Sequence, residues 1–141
     1  MPFSPPKPLQ PAPGDVRGAT VLVVDDERAW RVMLETDLQL LGYRVILAGD
    51  AHEALRLAAA ETPGVAIVDL MLPEPIDGRR LVQELRDRGA GLPVVLYSAH
   101  PDAEPGEDPD VVGFMSKSAD RADLYALIPD AIRRSRAARS R

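Results

Sequence analysis

Five short runs of apolar, largely β-branched residues recur along the chain: TVLVVD from Thr20, YRVILAG from Tyr43, GVAIVDL from Gly64, LPVVLYSA from Leu92 and DVVGFMS from Asp110. Within them apolar residues are consecutive rather than alternate, the pattern of strands buried on both faces of a parallel sheet. Helical spacing fills most of the intervals. Trp30, Met33, Leu34, Leu38 and Leu41 share a face that Gly42 closes. DAHEALRLAAAE starts with Asp50 as N-cap and Glu53 in capping-box position. GRRLVQELRDRG ends in a glycine, and Leu124, Leu127, Ile128 and Ile132 line one face of the last helix, within which Pro129 predicts a kink or a division into two pieces. Strands and helices in alternation, joined by right-handed crossovers, predict a doubly wound α/β domain. In such sheets the ligand site lies beyond the carboxyl ends of the strands.

The length of 141 residues and the 45% hydrophobic content suit one domain with one sizeable core. Cysteine is absent, which excludes a disulfide framework and a thiolate metal site. No apolar run reaches the roughly 20 residues of a membrane span, and no basic-then-apolar leader opens the chain, so the expectation is a soluble, cytoplasmic protein with no membrane partner. A net charge of -5 argues against nucleic-acid binding by the whole surface, although the last nine residues hold five arginines, read as a solvated, frayed helix end. Residues 1–18 carry six of the fourteen prolines without apolar periodicity and are expected to be a disordered lead-in. The expected domain covers residues 19–136, with a basic tail at 137–141.

The strand ends carry the chemistry. Strand one ends in Asp25 and Asp26, strand three in Asp69 and strand four in Ser98, and Lys117 follows strand five. Carboxylates brought together raise one another's pKa and destabilise the fold unless a cation neutralises them. An all-oxygen cluster suits Mg²⁺, so Asp25 and Asp26 are read as metal-holding residues. Beside such an ion Asp69 could attack a phosphoryl group, with Lys117 and the Ser98 hydroxyl on the transferred oxygens.

VLVVDDE, AIVDLMLP with DG, VVLYSA and GFMSKS, at these spacings, resemble the receiver domain of two-component response regulators, the CheY-like family. The resemblance implies a flavodoxin-like five-stranded sheet in the order 2-1-3-4-5. It implies Asp69 as phosphoacceptor, charged by a sensor histidine kinase or a phosphotransfer protein. Asp26, Asp69 and the Met71 backbone carbonyl would bind Mg²⁺, with Asp25 assisting, often through water. Ser98 and Lys117 would hold the phosphoryl group, Phe114 would be the aromatic switch residue, and Met71 and His100 fall where phosphoryl lifetime is tuned. The domain would turn over no external substrate, its catalysis being limited to phosphorylation from phosphodonors and dephosphorylation of itself.

Several features depart from the family pattern. HPDAEPGEDPD, with Pro101, Pro105 and Pro109, stands where a helix usually lies between strands four and five; interior prolines cost a helix about 3 kcal/mol each, so that helix is expected to be missing or reduced to a turn. Lys117 is followed by Ser118 rather than proline, and the bond between them is expected to be trans. DLMLPEPIDG is one residue longer than the common spacing, with an expected bulge around Pro73 and Pro75.

The leading reading is a single-domain receiver that signals by contact with a downstream protein, with a homodimer left open. A degenerate receiver acting as a phosphorylation-independent binding module is the alternative. A haloacid-dehalogenase-like phosphohydrolase is disfavoured, because DDERA stands where that family has Asp-x-Asp-x-Thr.

Overall fold

The five apolar runs form five strands, the three central ones buried on both faces. β1 (Thr20–Val24), β2 (Arg44–Ala48), β3 (Val65–Asp69), β4 (Val94–Ser98) and β5 (Val111–Ser116) pair in parallel in the order β2-β1-β3-β4-β5. The doubly wound sheet and its strand order are therefore as expected. The computed structural model describes residues 5–100 and 102–139. The expectations placed on residues 1–4, on Pro101 and on the last two residues of the basic tail lie outside them.

Successive side chains of a strand point to opposite faces, and this divides the core in two. Val21, Val23, Val65, Ile67, Val95 and Tyr97 face a cluster closed by α1 (Arg28–Leu41), α4 (Arg121–Tyr125) and α5 (Ile128–Arg139). Leu22, Val24, Ala66, Val68, Val94 and Leu96 face the opposite cluster, closed by α2 (Ala51–Glu61) and α3 (Gly78–Asp87). Local signals set the helix ends. Gly42 ends α1 in the left-handed region at φ 106°, while Asp50 and Asp77 cap α2 and α3 by accepting from Glu53 N and Arg80 N. Pro129 divides the last helical stretch as the sequence predicts. It stands at the second residue of α5, where its missing N–H removes no intrahelical bond.

Among the described residues between β4 and β5 there is no helix. The segment is held instead by α3: Arg79 donates to the carbonyls of Pro105 (3.1 Å) and Glu104, and Arg86 pairs with Asp108 at 3.6 Å. Each residue from Val111 to Met115 is half-buried, whereas all of β4 is buried.

The disordered lead-in is corrected over its described part. Ala12 and Val16 are buried in the first cluster at 3% and 0% exposure. A turn from Pro13 to Gly18 sits under the end of α1, with Ala12 N donating to Leu41 O and Gly18 N to Gly42 O, both at 2.7 Å. Two small apolar residues without periodicity give no local signal; their burial depends on the groove between α1 and α5. The arginine-rich last helix meets the same region, its arginines exposed. Its arginines clasp the protein: Arg133 forms a two-pronged pair with Asp15 at 2.8 and 2.9 Å, and Arg139 donates to Pro63 O at 3.0 Å.

Candidate functional site

Asp25 directly follows β1 and Asp69 ends β3, and because those strands are neighbours the two carboxylates stand side by side at one sheet edge. Asp25 is fully buried, Asp69 is 3% exposed, and Asp26 lies open to solvent above them. One oxygen from each of the three lies within 4.8 Å of the others. This all-oxygen, triply acidic donor set fits a hard divalent cation such as Mg²⁺. Backbone amides orient two of the three. Glu27 N donates to Asp25 Oδ1 at 2.8 Å and Met71 N to Asp69 Oδ1 at 2.9 Å, which places the Met71 backbone beside the carboxylate.

Lys117 reaches this group from the end of β5. Its Nζ lies 2.9 Å from Asp25 Oδ2, 3.0 Å from Asp69 Oδ2 and 3.7 Å from Glu27 Oε1, and its side chain is 5% exposed. The far side of the ammonium is aromatic, with the rings of Trp30 and Tyr97 each 4.9 Å away. The Tyr97 hydroxyl donates to Asp25 Oδ2, the oxygen that Lys117 also contacts. Burial pushes Asp69 above the ordinary carboxylate range and the Asp25 charge adds to the rise, while the Met71 N–H and Lys117 pull against it. Burial works against the charged form of Lys117, but its bonds to Asp25 and Asp69 outweigh that and raise its pKa.

Ser98 ends β4, buried, with its Oγ accepting from His100 N at 3.0 Å; its carbonyl accepts from Lys117 N at 2.8 Å, joining the ends of β4 and β5. The Lys117–Ser118 bond is trans, since among the described residues Glu74-Pro75 is the cis bond.

A family profile described as "Response regulator receiver domain" matches residues 21–129. The chain belongs to the response regulator receiver family. Response regulator MprA of Mycobacterium leprae is 33% identical to this receiver over 119 residues, 82% of this chain and 52% of MprA. The probable transcriptional regulator ycf27 of Guillardia theta is 43% identical over 79 residues, 56% of this chain and 30% of that protein. The receiver thus matches about a third to a half of the length of these curated relatives. Among solved structures, the signal receiver domain of an HD domain-containing protein from Pseudomonas fluorescens superposes with a TM-score of 0.77 at 23% identity, covering 86% of this chain and 99% of that one. Response regulator TrrA of Thermotoga maritima, solved in complex with Mg²⁺ and BeF, superposes with a TM-score of 0.71 at 25% identity, covering 80% and 98%. The acidic triad is of the kind that binds Mg²⁺ in receiver domains, and membership implies a histidine kinase as partner in general terms.

The fold brings Asp25, Asp26, Asp69 and Lys117 together and sets Ser98 one hydrogen bond from Lys117. Phe114 packs half-buried against the second core cluster. Met71 projects into solvent at 59% exposure, and His100 is exposed, its Nδ1 accepting from Asp102 N at 3.2 Å. Sequence reasoning missed Tyr97 and Trp30, which it took for strand and helix core. The available signal was that Tyr97 immediately precedes Ser98 at a strand end, where a buried hydroxyl requires a polar partner. No helix of the described residues is long and apolar enough to cross a membrane.

Proposed function

We propose that the chain is a working receiver: Asp69 accepts a phosphoryl group from the phosphohistidine of a sensor histidine kinase or phosphotransfer protein, in the cytoplasm, and passes the signal on by protein contacts. The observation that carries this is the Lys117 ammonium set between Asp25 and Asp69 at the edge of the acidic triad. An Asp69 carboxylate oxygen forms the new bond to phosphorus as the phosphorus–nitrogen bond of the donor breaks, and the imidazole leaves with the bonding pair. Little covalent work falls to the protein beyond positioning and charge stabilisation. Asp69 is fixed in place by Met71 N and held by Lys117. As its negative charge is spread onto the phosphoryl oxygens, Lys117 follows them, and the Ser98 hydroxyl, whose oxygen accepts from His100 N, donates its proton to one of them. Asp26, Asp69 and the Met71 carbonyl would hold Mg²⁺, with Asp25 assisting; the ion supplies charge neutralisation for an anionic donor approaching an anionic site. The superposition on TrrA, solved with Mg²⁺ and BeF, supports this reading. Phe114 is assigned the switch role, and Met71 and His100, exposed beside the acceptor and the hydroxyl, the control of water attack that resets it.

One observation favours the alternative of a phosphorylation-independent binding module: no helix lies in the described part of the β4–β5 connection, a surface through which a shift at Ser98 would be read. Intact mass after exposure to acetyl phosphate and Mg²⁺ separates the two. A single phosphoryl adduct, abolished by Asp69→Ala and by EDTA, is expected. An unmodified wild-type mass with acetyl phosphate and with a phosphohistidine donor would leave the binding module.

A further inference from the structure

Asp25 is fully buried, and among the described residues three donors reach its carboxylate: Glu27 N to Oδ1, Lys117 Nζ and the Tyr97 hydroxyl to Oδ2. A phenol carries a single proton to donate, and this one is committed to the triad. We propose that Tyr97 is a positioning residue that sets the cation affinity of the acidic triad: its hydroxyl holds Asp25 Oδ2 in the bridge to Lys117 and reduces the negative charge that Asp25 can offer a cation.

The proposal rests on the receiver reading of the site and adds to it a residue outside the acidic triad, Ser98 and Lys117. Asp69 pairs with Tyr97 across the β3–β4 ladder, so the ring rises beside the acceptor and its hydroxyl meets Asp25 on the next strand. The Tyr97 ring also lies 6.0 Å from Trp30, and the two rings close the side of the Lys117 ammonium that the carboxylates leave open. Lys117 is thereby kept at the bridge, and one oxygen of the triad is occupied by two donors at once. A hydrogen bond donated to an ionised carboxylate draws charge from the oxygen that a cation, or its bound water, would use.

Tyr97→Phe keeps the ring in its core position and removes only the donor. Mg²⁺ titrated calorimetrically into wild type and variant, together with the melting temperature of each with and without Mg²⁺, reads the effect. The expected result is a Mg²⁺ dissociation constant about three- to tenfold lower in Tyr97→Phe, the scale of a lost hydrogen bond to a charged group offset by a looser carboxylate. The Mg²⁺-induced rise in melting temperature is correspondingly larger in the variant, as linkage requires. A ring-fluorinated tyrosine placed at position 97 is a stronger donor and weakens Mg²⁺ binding, an opposite shift that a purely structural role would not produce; it also serves if Tyr97→Phe fails to melt cooperatively. Unchanged or weaker Mg²⁺ binding in a folded Tyr97→Phe overturns the proposal, and wild type taking a phosphoryl group on Asp69 in the same experiment leaves the receiver reading standing. Wild type that neither binds Mg²⁺ nor is phosphorylated overturns both.

Discussion

Gly78 opens α3 against the backbone of the acceptor strand, and its replacement by alanine tests how rigidly the fold holds Asp69. A Cβ at position 78 would lie 2.4 Å from the Asp69 carbonyl oxygen, 2.7 Å from Leu70 Cα and 3.0 Å from Leu70 O. These distances lie between about 0.4 and about 1 Å inside ordinary van der Waals contact, and all three atoms are backbone, so no side chain can swing aside. The glycine N–H also donates to Leu70 O at 3.0 Å, which ties the start of α3 to that segment. Overpacking of this kind costs about 3 kcal/mol, the upper end of the usual range, because the strand must move. Alanine recovers about 1 kcal/mol through helix propensity and a less flexible unfolded chain. The net loss is about 2 kcal/mol, or about 8 °C in melting temperature for a domain of this size. Relief of the clash displaces Asp69 by a fraction of an ångström or more, and positional errors of that order cost roughly tenfold or more in a reaction that depends on alignment. Thermal unfolding and the initial rate of acetyl phosphate labelling, both in Mg²⁺, measure the two effects. A Gly78→Ala protein with unaltered melting temperature and labelling rate would refute the close packing of α3 on the acceptor strand.

Further outcomes follow from the same packing. Lys117→Met leaves Asp25 and Asp69 buried without their ammonium and is expected to cost about 3–5 kcal/mol in metal-free urea unfolding, part of which Mg²⁺ restores; a loss under about 1 kcal/mol would show that the ion pair is not formed in solution. Val16→Ala removes a fully buried side chain of the N-terminal turn and should lower stability by about 1–3 kcal/mol, whereas no change would mean that the turn does not dock. The Tyr125 hydroxyl donates to Asp37, and burial first, then that bond, raises its pKa above the ordinary 10.0. Its protonated form is favoured in the folded state, so the contribution is fully present below pH 10.0 and is lost as pH rises past that value. Tyr125→Phe is expected to cost about 1 kcal/mol near neutrality and to flatten the alkaline fall in stability by up to about 1.4 kcal/mol per pH unit, read by urea unfolding between about pH 8 and about pH 11.

The site was legible where its residues end strands. Asp25, Asp26, Asp69, Ser98 and Lys117 each follow or close an apolar run, and a parallel sheet must bring the carboxyl ends of its strands to one edge. That no helix lies among the described residues between β4 and β5 was legible too, because proline acts locally, and so was the division at Pro129. Tyr97 was not. It is one apolar-compatible residue in a buried strand, and only the β3–β4 register and the approach of α1 show that its hydroxyl lands on Asp25 and its ring beside Trp30. The N-terminal turn was misread for the same reason. Ala12 and Val16 carry no period, and the groove that buries them is made by helices distant in sequence.

By itself, then, the order of residues determined the strand and helix sequence, the parallel sheet and the identity of the acidic edge, since those depend on periodicity, caps and chain direction. The tertiary structure alone decided that Lys117 stands between Asp25 and Asp69, that two aromatic rings close over it, and that residues 12–18 fold back onto α1 and α5. Contacts of that kind join residues many tens of positions apart, and their existence follows from how packed surfaces meet rather than from any spacing a linear pattern can carry.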